Sequence, residues 1–244
     1  MTAFDPQKTA DTLIHWLQEK VKAAGAQGGV FGLSGGIDST LVAALMKRAF
    51  PENCLGVILP ANSMSADRED ALRVAEHLGL PTLTIDLGDT LRELLAQMDE
   101  NGLPLDRMAV ANTKARLRMT ALHFVATSKR YLVIGTGNRS ELYTGYFTKY
   151  GDSGVDLLPL APLVKGQVRE LAHYLGIPED LVNRTPSAGL FEGQTDEGEM
   201  GFTYDVLDRY ILTGQIEDQA AKEKIDRMHR ISQHKRELIP QPTL

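Results

Sequence analysis

Short apolar runs alternate with longer stripes of helical spacing along this chain, and that alternation predicts its elements. Val30-Phe31-Gly32-Leu33 reads as a buried strand. It breaks at Ser34-Gly35-Gly36 into a helical pattern with Ile37, Leu41, Ala44 and Leu45 on one side. Upstream, Asp5-Pro6 supplies an N-cap and a first helical position, and Ala10, Leu13, Ile14, Leu17 and Val21 form one stripe ending near Gly25. Downstream, 54–59 reads as a second strand closed by Pro60. Residues 65–78 follow as a helix with Leu72, Ala75 and Leu78 inward, and 82–87 as a third strand. The stretch 88–106 is less regular and contains the turn Asn101-Gly102-Leu103-Pro104. A long helix at about 109–127, a strand at 131–134 and helices at about 165–175, 204–212 and 216–235 complete the pattern. Residues 187–202 are rich in glycine and acidic side chains, lack periodicity and read as a mobile loop, a candidate lid together with part of 88–106.

Strands alternating with helices predict an α/β fold: an open parallel sheet in three layers, helices on both faces, with right-handed crossovers. Ligands of such sheets bind outside the carboxyl ends of the strands. At 244 residues the chain suits a single domain, 1–244.

Composition narrows the function classes. A net charge of −6 disfavours extended contact with nucleic acid. No apolar run is long enough to span a membrane, and the N-terminus lacks a basic region followed by an apolar stretch, so the cytoplasm is the expected compartment. Cys54, the one cysteine, excludes an intrachain disulfide and sits in an apolar strand as a packed side chain.

The chemistry concentrates at the corner between the first strand and its helix. Adjacent glycines let a ligand touch the main chain, and the unpaired N–H groups of the helix start favour an anion, usually phosphate. A Walker loop is excluded, because no Gly-Lys-Ser or Gly-Lys-Thr occurs. Gly32-Leu33-Ser34-Gly35-Gly36 fits the nucleophile elbow, but such an elbow needs earlier strands for its oxyanion hole and mostly one helix precedes Ser34. Asp38, inside the loop, is a natural ligand for a Mg²⁺ shared with phosphate oxygens. A second polar edge, Gly135 to Glu141, follows the 131–134 strand with a hydroxyl at Thr136 and a carboxylate at Glu141. Arg116 and Arg118, two positions apart on a helix, point in different directions, so at most one readily serves a given ligand.

Ser34-Gly35-Gly36-Ile37-Asp38-Ser39 resembles the pyrophosphate loop of the ATP pyrophosphatases, enzymes that split ATP between its α and β phosphates. Further stretches narrow the resemblance: Lys114-Ala115-Arg116-Leu117-Arg118-Met119, Gly135-Thr136 with Glu141, Gly145 to Asp152 containing Phe147-Thr148-Lys149-Tyr150, Asp156 to Leu160, and His234-Lys235-Arg236. Together they are similar to the ammonia-dependent NAD synthetases. That resemblance implies a Rossmann-like fold of the adenine nucleotide alpha hydrolase type, a homodimer, and ATP-dependent amidation of deamido-NAD by ammonia with release of AMP and pyrophosphate. It implies that Gly32, Leu33, Ser34, Gly35, Gly36, Ile37, Asp38 and Ser39, with Thr136, Lys165 and Ser187, bind ATP. Asp38 and Glu141 would hold Mg²⁺ and, with Lys165, carry catalysis. Arg116, Lys149, Asp156, His234 and Lys235 would contact deamido-NAD. Ser187 departs from the family's usual threonine. The rival expectations are another amidating or tRNA-thiolating ATP pyrophosphatase, and an ATP-binding regulatory module without turnover.

Overall fold

Four short runs of β-favouring or glycine residues form the sheet, and the helices between them cover both of its sides. The computed structural model describes residues 4–61, 65–184 and 195–243. Helix α1 (Pro6–Ala23) leads into β1 (Gly28–Gly32), followed by α2 (Ile37–Ala49), β2 (Cys54–Ile58), α3 (Ser65–Leu78) and β3 (Thr82–Thr84). Then come α4 (Gly88–Glu100), α5 (Arg107–Lys129), β4 (Tyr131–Val133) and α6 (Arg139–Thr144). The chain continues through α7 (Lys165–Tyr174), α8 (Glu179–Val182), α9 (Asp196–Met200), α10 (Tyr204–Thr213), α11 (Gln219–Ile231) and α12 (Gln233–Arg236). The strand order is β3-β2-β1-β4, parallel throughout, and a parallel bridge from Ile134 to Leu157 extends the β4 edge.

Alternation along β1 separates the two cores. Val30 packs with Leu91 of α4 and Met119, Leu122 and Val125 of α5. Phe31 packs with Leu13 and Leu17 of α1, Leu41 and Leu45 of α2 and Val168 and Leu171 of α7. Neighbouring residues of one strand point to opposite faces, so this is the expected three-layer arrangement. A satellite core of Met200, Phe202, Tyr204, Leu207, Ala221 and Ile225 joins α9, α10 and α11. Cys54 is buried in β2, as expected of a packed thiol. Among the described residues no helix is long and apolar enough to cross a membrane.

Several sequence expectations need correction. The stretch 88–106 is not irregular: most of it is α4, whose buried residues are only Gly88 and Leu91, too few to advertise a stripe. Anchored by Leu91 in the core, α4 is not a free lid. Leu72 does not face inward: it is 43% exposed, while Ala71, Val74 and Ala75 are buried, so the inner face of α3 is set by the smaller residues beside it. The third strand ends at Thr84 rather than Leu87, although Ile85 and Leu87 still donate to the Ile58 and Pro60 carbonyls. Of the expected loop 187–202, residues 187–194 lie outside the described residues, as does Ser187. The remainder is not a loop, because Thr195 caps α9 and Met200 and Phe202 are buried.

Candidate active site

The sheet delivers three chain exits to one edge. After β1 the chain turns through Leu33–Gly36 into α2. Of the two adjacent glycines, Gly35 requires its freedom, with φ at +77° and an added Cβ meeting the Cβ of Asp70 at 2.6 Å. Gly36 is the N-cap of α2 and offers no side-chain cap to its open N–H groups. The Ser34 and Ser39 hydroxyls lie 3.0 Å apart, the Ser34 N–H donates weakly to Ser39 Oγ at 3.3 Å, and Ser39 Oγ donates to the Gly36 carbonyl at 2.9 Å. These bonds tighten the corner and set Asp38 in the first turn of α2.

After β4 the chain passes Thr136 and enters α6 through a capping box. Asn138 Oδ1 accepts from the Glu141 N–H at 3.0 Å, and Glu141 Oε2 accepts from the Asn138 N–H at 3.1 Å. This reciprocal pair fixes Glu141 in a short helix that periodicity could not reveal. Asn138 Nδ2 also donates to Asp38 Oδ1 at 2.8 Å, tying the two corners together. The third exit is the start of α7, whose first residue is Lys165.

Lys165 is 2% exposed, and its ammonium donates to Asp38 Oδ2 at 2.5 Å and Glu141 Oε1 at 3.2 Å. Its Nζ also lies 4.9 Å from the centroid of the Tyr204 ring. One cation thus bridges two carboxylates carried on different helices, α2 and α6. Burial above all, and then the Asp38 charge, push the Glu141 carboxyl up to about 8, while Lys165 pulls it back. Burial works against the Lys165 ammonium, but the two carboxylates outweigh it and hold the group charged, above the ordinary lysine range.

This has a consequence for the nucleotide-free protein. Between 4.5 and about 8 the folded state holds a proton on Glu141 that the unfolded chain has released, so stability falls as pH rises through that window. Thermal melts across the window are expected to show this decline, and Glu141→Gln, which cannot titrate, is expected to flatten it. A wild-type profile no steeper than that of the variant would contradict the assignment.

The residues expected to touch deamido-NAD fall into a second group around the 145–150 loop. Arg116 Nε donates to the Lys149 carbonyl at 3.3 Å, and Lys149 Nζ donates to the His234 carbonyl at 2.5 Å. Lys235 Nζ donates to the Gly145 and Phe147 carbonyls at 2.8 and 2.7 Å. Next to it, Arg236 donates to the carbonyls of Leu142 and Tyr143 at the end of α6. Asp156 is held elsewhere, accepting from the Val133 N–H of β4 at 2.7 Å. Arg118 diverges from Arg116 as its spacing requires, donating to the Leu59 carbonyl at 3.0 Å.

Five supporting residues escape the sequence reading. Asn138 is findable, because Asn138-Arg139-Ser140-Glu141 is a cap signature. Asp196, Tyr204, Ser140 and Asp208 give no local signal. Tyr204 donates to Asp196 Oδ2 at 2.9 Å, while Asp196 Oδ1 is buried and has no hydrogen-bond partner among the described residues. Asp208 Oδ1 accepts from Ser140 Oγ at 2.5 Å, Asp208 Oδ2 accepts from the Gly166 N–H at 2.7 Å, and Ser140 Oγ accepts from the Lys165 N–H at 3.1 Å.

The donor set suits a divalent cation of the magnesium type. Both carboxylates already reach one positive centre, and Mg²⁺ takes one or two carboxylates together with substrate phosphates. Among the described residues no third acidic, histidine or cysteine side chain joins them, so the remaining ligands would come from substrate and water.

A glycine corner and paired carboxylates at the carboxyl edge of a parallel sheet define a nucleotide-using α/β enzyme. The family model for NAD synthase matches residues 9–241. An NH3-dependent NAD+ synthetase of Carboxydothermus hydrogenoformans is 48% identical, with 98% of each chain covered. A solved NMN synthetase from Francisella tularensis is 39% identical with a TM-score of 0.94, covering 99% of this chain and all of that one. The NH3-dependent NAD synthetase of Campylobacter jejuni, solved with nitrate, is 32% identical at a TM-score of 0.82, with the same coverage. The chain belongs to the NAD synthase family, ligases that amidate deamido-NAD with consumption of ATP.

Proposed function

We propose that this chain uses free ammonia, with Mg²⁺ on Asp38 and Glu141, to convert deamido-NAD to NAD. The observation that carries the reading is the bridging of those two carboxylates by one buried cation at the exit of the glycine corner. The nicotinate carboxylate oxygen attacks the α phosphorus of ATP and the bond to pyrophosphate breaks. Ammonia then attacks the acyl carbon, AMP leaves, and a proton is lost from nitrogen. Bound Mg²⁺ would neutralise the charge gathering on the departing pyrophosphate. The residues 32–39, Thr136, Lys165 and Ser187 receive ATP; Lys165 supplies a positive charge to the phosphates close to where the α–β bond breaks. Arg116, Lys149, Asp156, His234 and Lys235 receive deamido-NAD, the cations facing its phosphates and Asp156 its ribose hydroxyls. A homodimer is part of the same reading. Phe124 on α5 is 75% exposed, an apolar side chain that a second copy would cover.

A second reading concerns only the acceptor. The structural similarity to an enzyme named for NMN, at a TM-score of 0.94, favours testing the mononucleotide acid beside deamido-NAD. Incubation with ATP, Mg²⁺ and ammonium is expected to yield AMP and pyrophosphate when deamido-NAD is added, and neither product when acceptor is omitted. A higher kcat/KM for nicotinate mononucleotide than for deamido-NAD would replace the first reading with the second. AMP formation without any acceptor would overturn both.

A further inference from the structure

Lys165 occupies the place that the metal reading requires for Mg²⁺. Its ammonium touches one oxygen of each carboxylate, and the opposite oxygens are already committed, Asp38 Oδ1 to Asn138 Nδ2 and Glu141 Oε2 to the Asn138 N–H. The inner oxygens are thus the ones a metal would share, and they face Lys165. A divalent cation beside the ammonium would set three positive charges against at most two negative ones in so buried a space, an uncompensated charge that low-dielectric surroundings penalise heavily.

We propose that Lys165 is a displaceable placeholder for the divalent cation: its ammonium holds the two carboxylates together in the free enzyme and yields to the metal only when a nucleotide triphosphate arrives. The proposal rests on the metal reading given above and adds an order of events to it. The triphosphate contributes the missing negative charge, and the four-carbon stem of Lys165 lets Nζ swing from the carboxylates to a phosphate oxygen while the backbone stays fixed. The Tyr204 ring, already within cation–π range of Nζ, lines one wall of that movement. One cation leaves the carboxylates as another enters, and the phosphates take up the charge that moves. Metal affinity then depends on a bound triphosphate, so AMP, with one phosphate, would not recruit the metal.

Mn²⁺ binding followed by electron paramagnetic resonance tests this without turnover. Three samples are compared: wild-type protein alone, wild-type protein with α,β-methylene-ATP, and Lys165→Met alone. The wild type alone is expected to bind Mn²⁺ weakly and the nucleotide-bound form tightly. Removing the competing charge is expected to tighten nucleotide-free binding by about tenfold or more in Lys165→Met. Adding Glu141→Gln to that variant is expected to abolish the gain, which locates the ion. Lys165→Gln, neutral but polar, serves if the methionine variant does not fold. Wild-type protein that binds Mn²⁺ without nucleotide as tightly as the variant does would overturn the placeholder. Wild-type protein with the ATP analogue that binds no Mn²⁺ would instead overturn the metal reading itself.

Discussion

Replacing Asp38 with asparagine is expected to lower kcat by about three orders of magnitude, the scale seen when one electrostatic contact to developing charge is removed. The amide keeps an oxygen able to accept from Asn138 Nδ2, so the link between the two corners survives. What disappears is the negative charge that Lys165 now pairs with and that a metal would share with Glu141. Asp38 lies in the first turn of α2, at the rim of the core, so circular dichroism is expected to show a folded protein. Turnover near the wild-type rate would remove Asp38 from metal binding and from the reaction.

Asp208→Ala is expected to act through position. The carboxylate of α10 accepts from Ser140 on α6 and from the Gly166 N–H on α7, and Ser140 in turn accepts from the Lys165 N–H. One buried side chain therefore clamps the helix carrying Glu141 to the helix carrying Lys165. Burial raises its pKa, while the Ser140 and Gly166 bonds draw it back toward the ionised form. Alanine leaves two buried donors unmatched, a loss of about 2–6 kcal/mol at roughly 1–3 kcal/mol for each unmade bond. Urea unfolding measures that loss, and kcat is expected to fall with it as the two helices lose their common anchor. Asp208→Asn, which retains one carbonyl acceptor, is expected to recover part of both. Stability equal to the wild type in the alanine variant would show that the clamp carries no weight.

What can be read from the sequence depends on how locally each feature is determined. Strands β1 and β2 are legible because a strand buried on both faces is a short continuous apolar run, and the glycine corner because Gly35 needs a backbone conformation that other residues resist. Helix α4 escapes for the opposite reason: Leu87 provides no side-chain cap and Leu91 is the one buried large residue. Glu141 is visible as a carboxylate behind a strand, yet its six-residue helix is too short for any period. Lys165 can be named from resemblance, but no pattern in the chain announces that its charge is buried between two acids. Asp208 lies 68 positions beyond Ser140, and only the folded packing of α10 joins them.

The last helices are laced onto the one that holds Glu141. Lys235 takes up the Gly145 and Phe147 carbonyls, and Arg236 those of Leu142 and Tyr143. A growing polypeptide keeps its newest segment inside the ribosomal exit tunnel, so the sheet can condense while these carbonyls still await their partners. A product terminated before residues 235 and 236 would keep the Asn138 cap and the Asp208 clamp but lose the four bonds that tether the far end of α6.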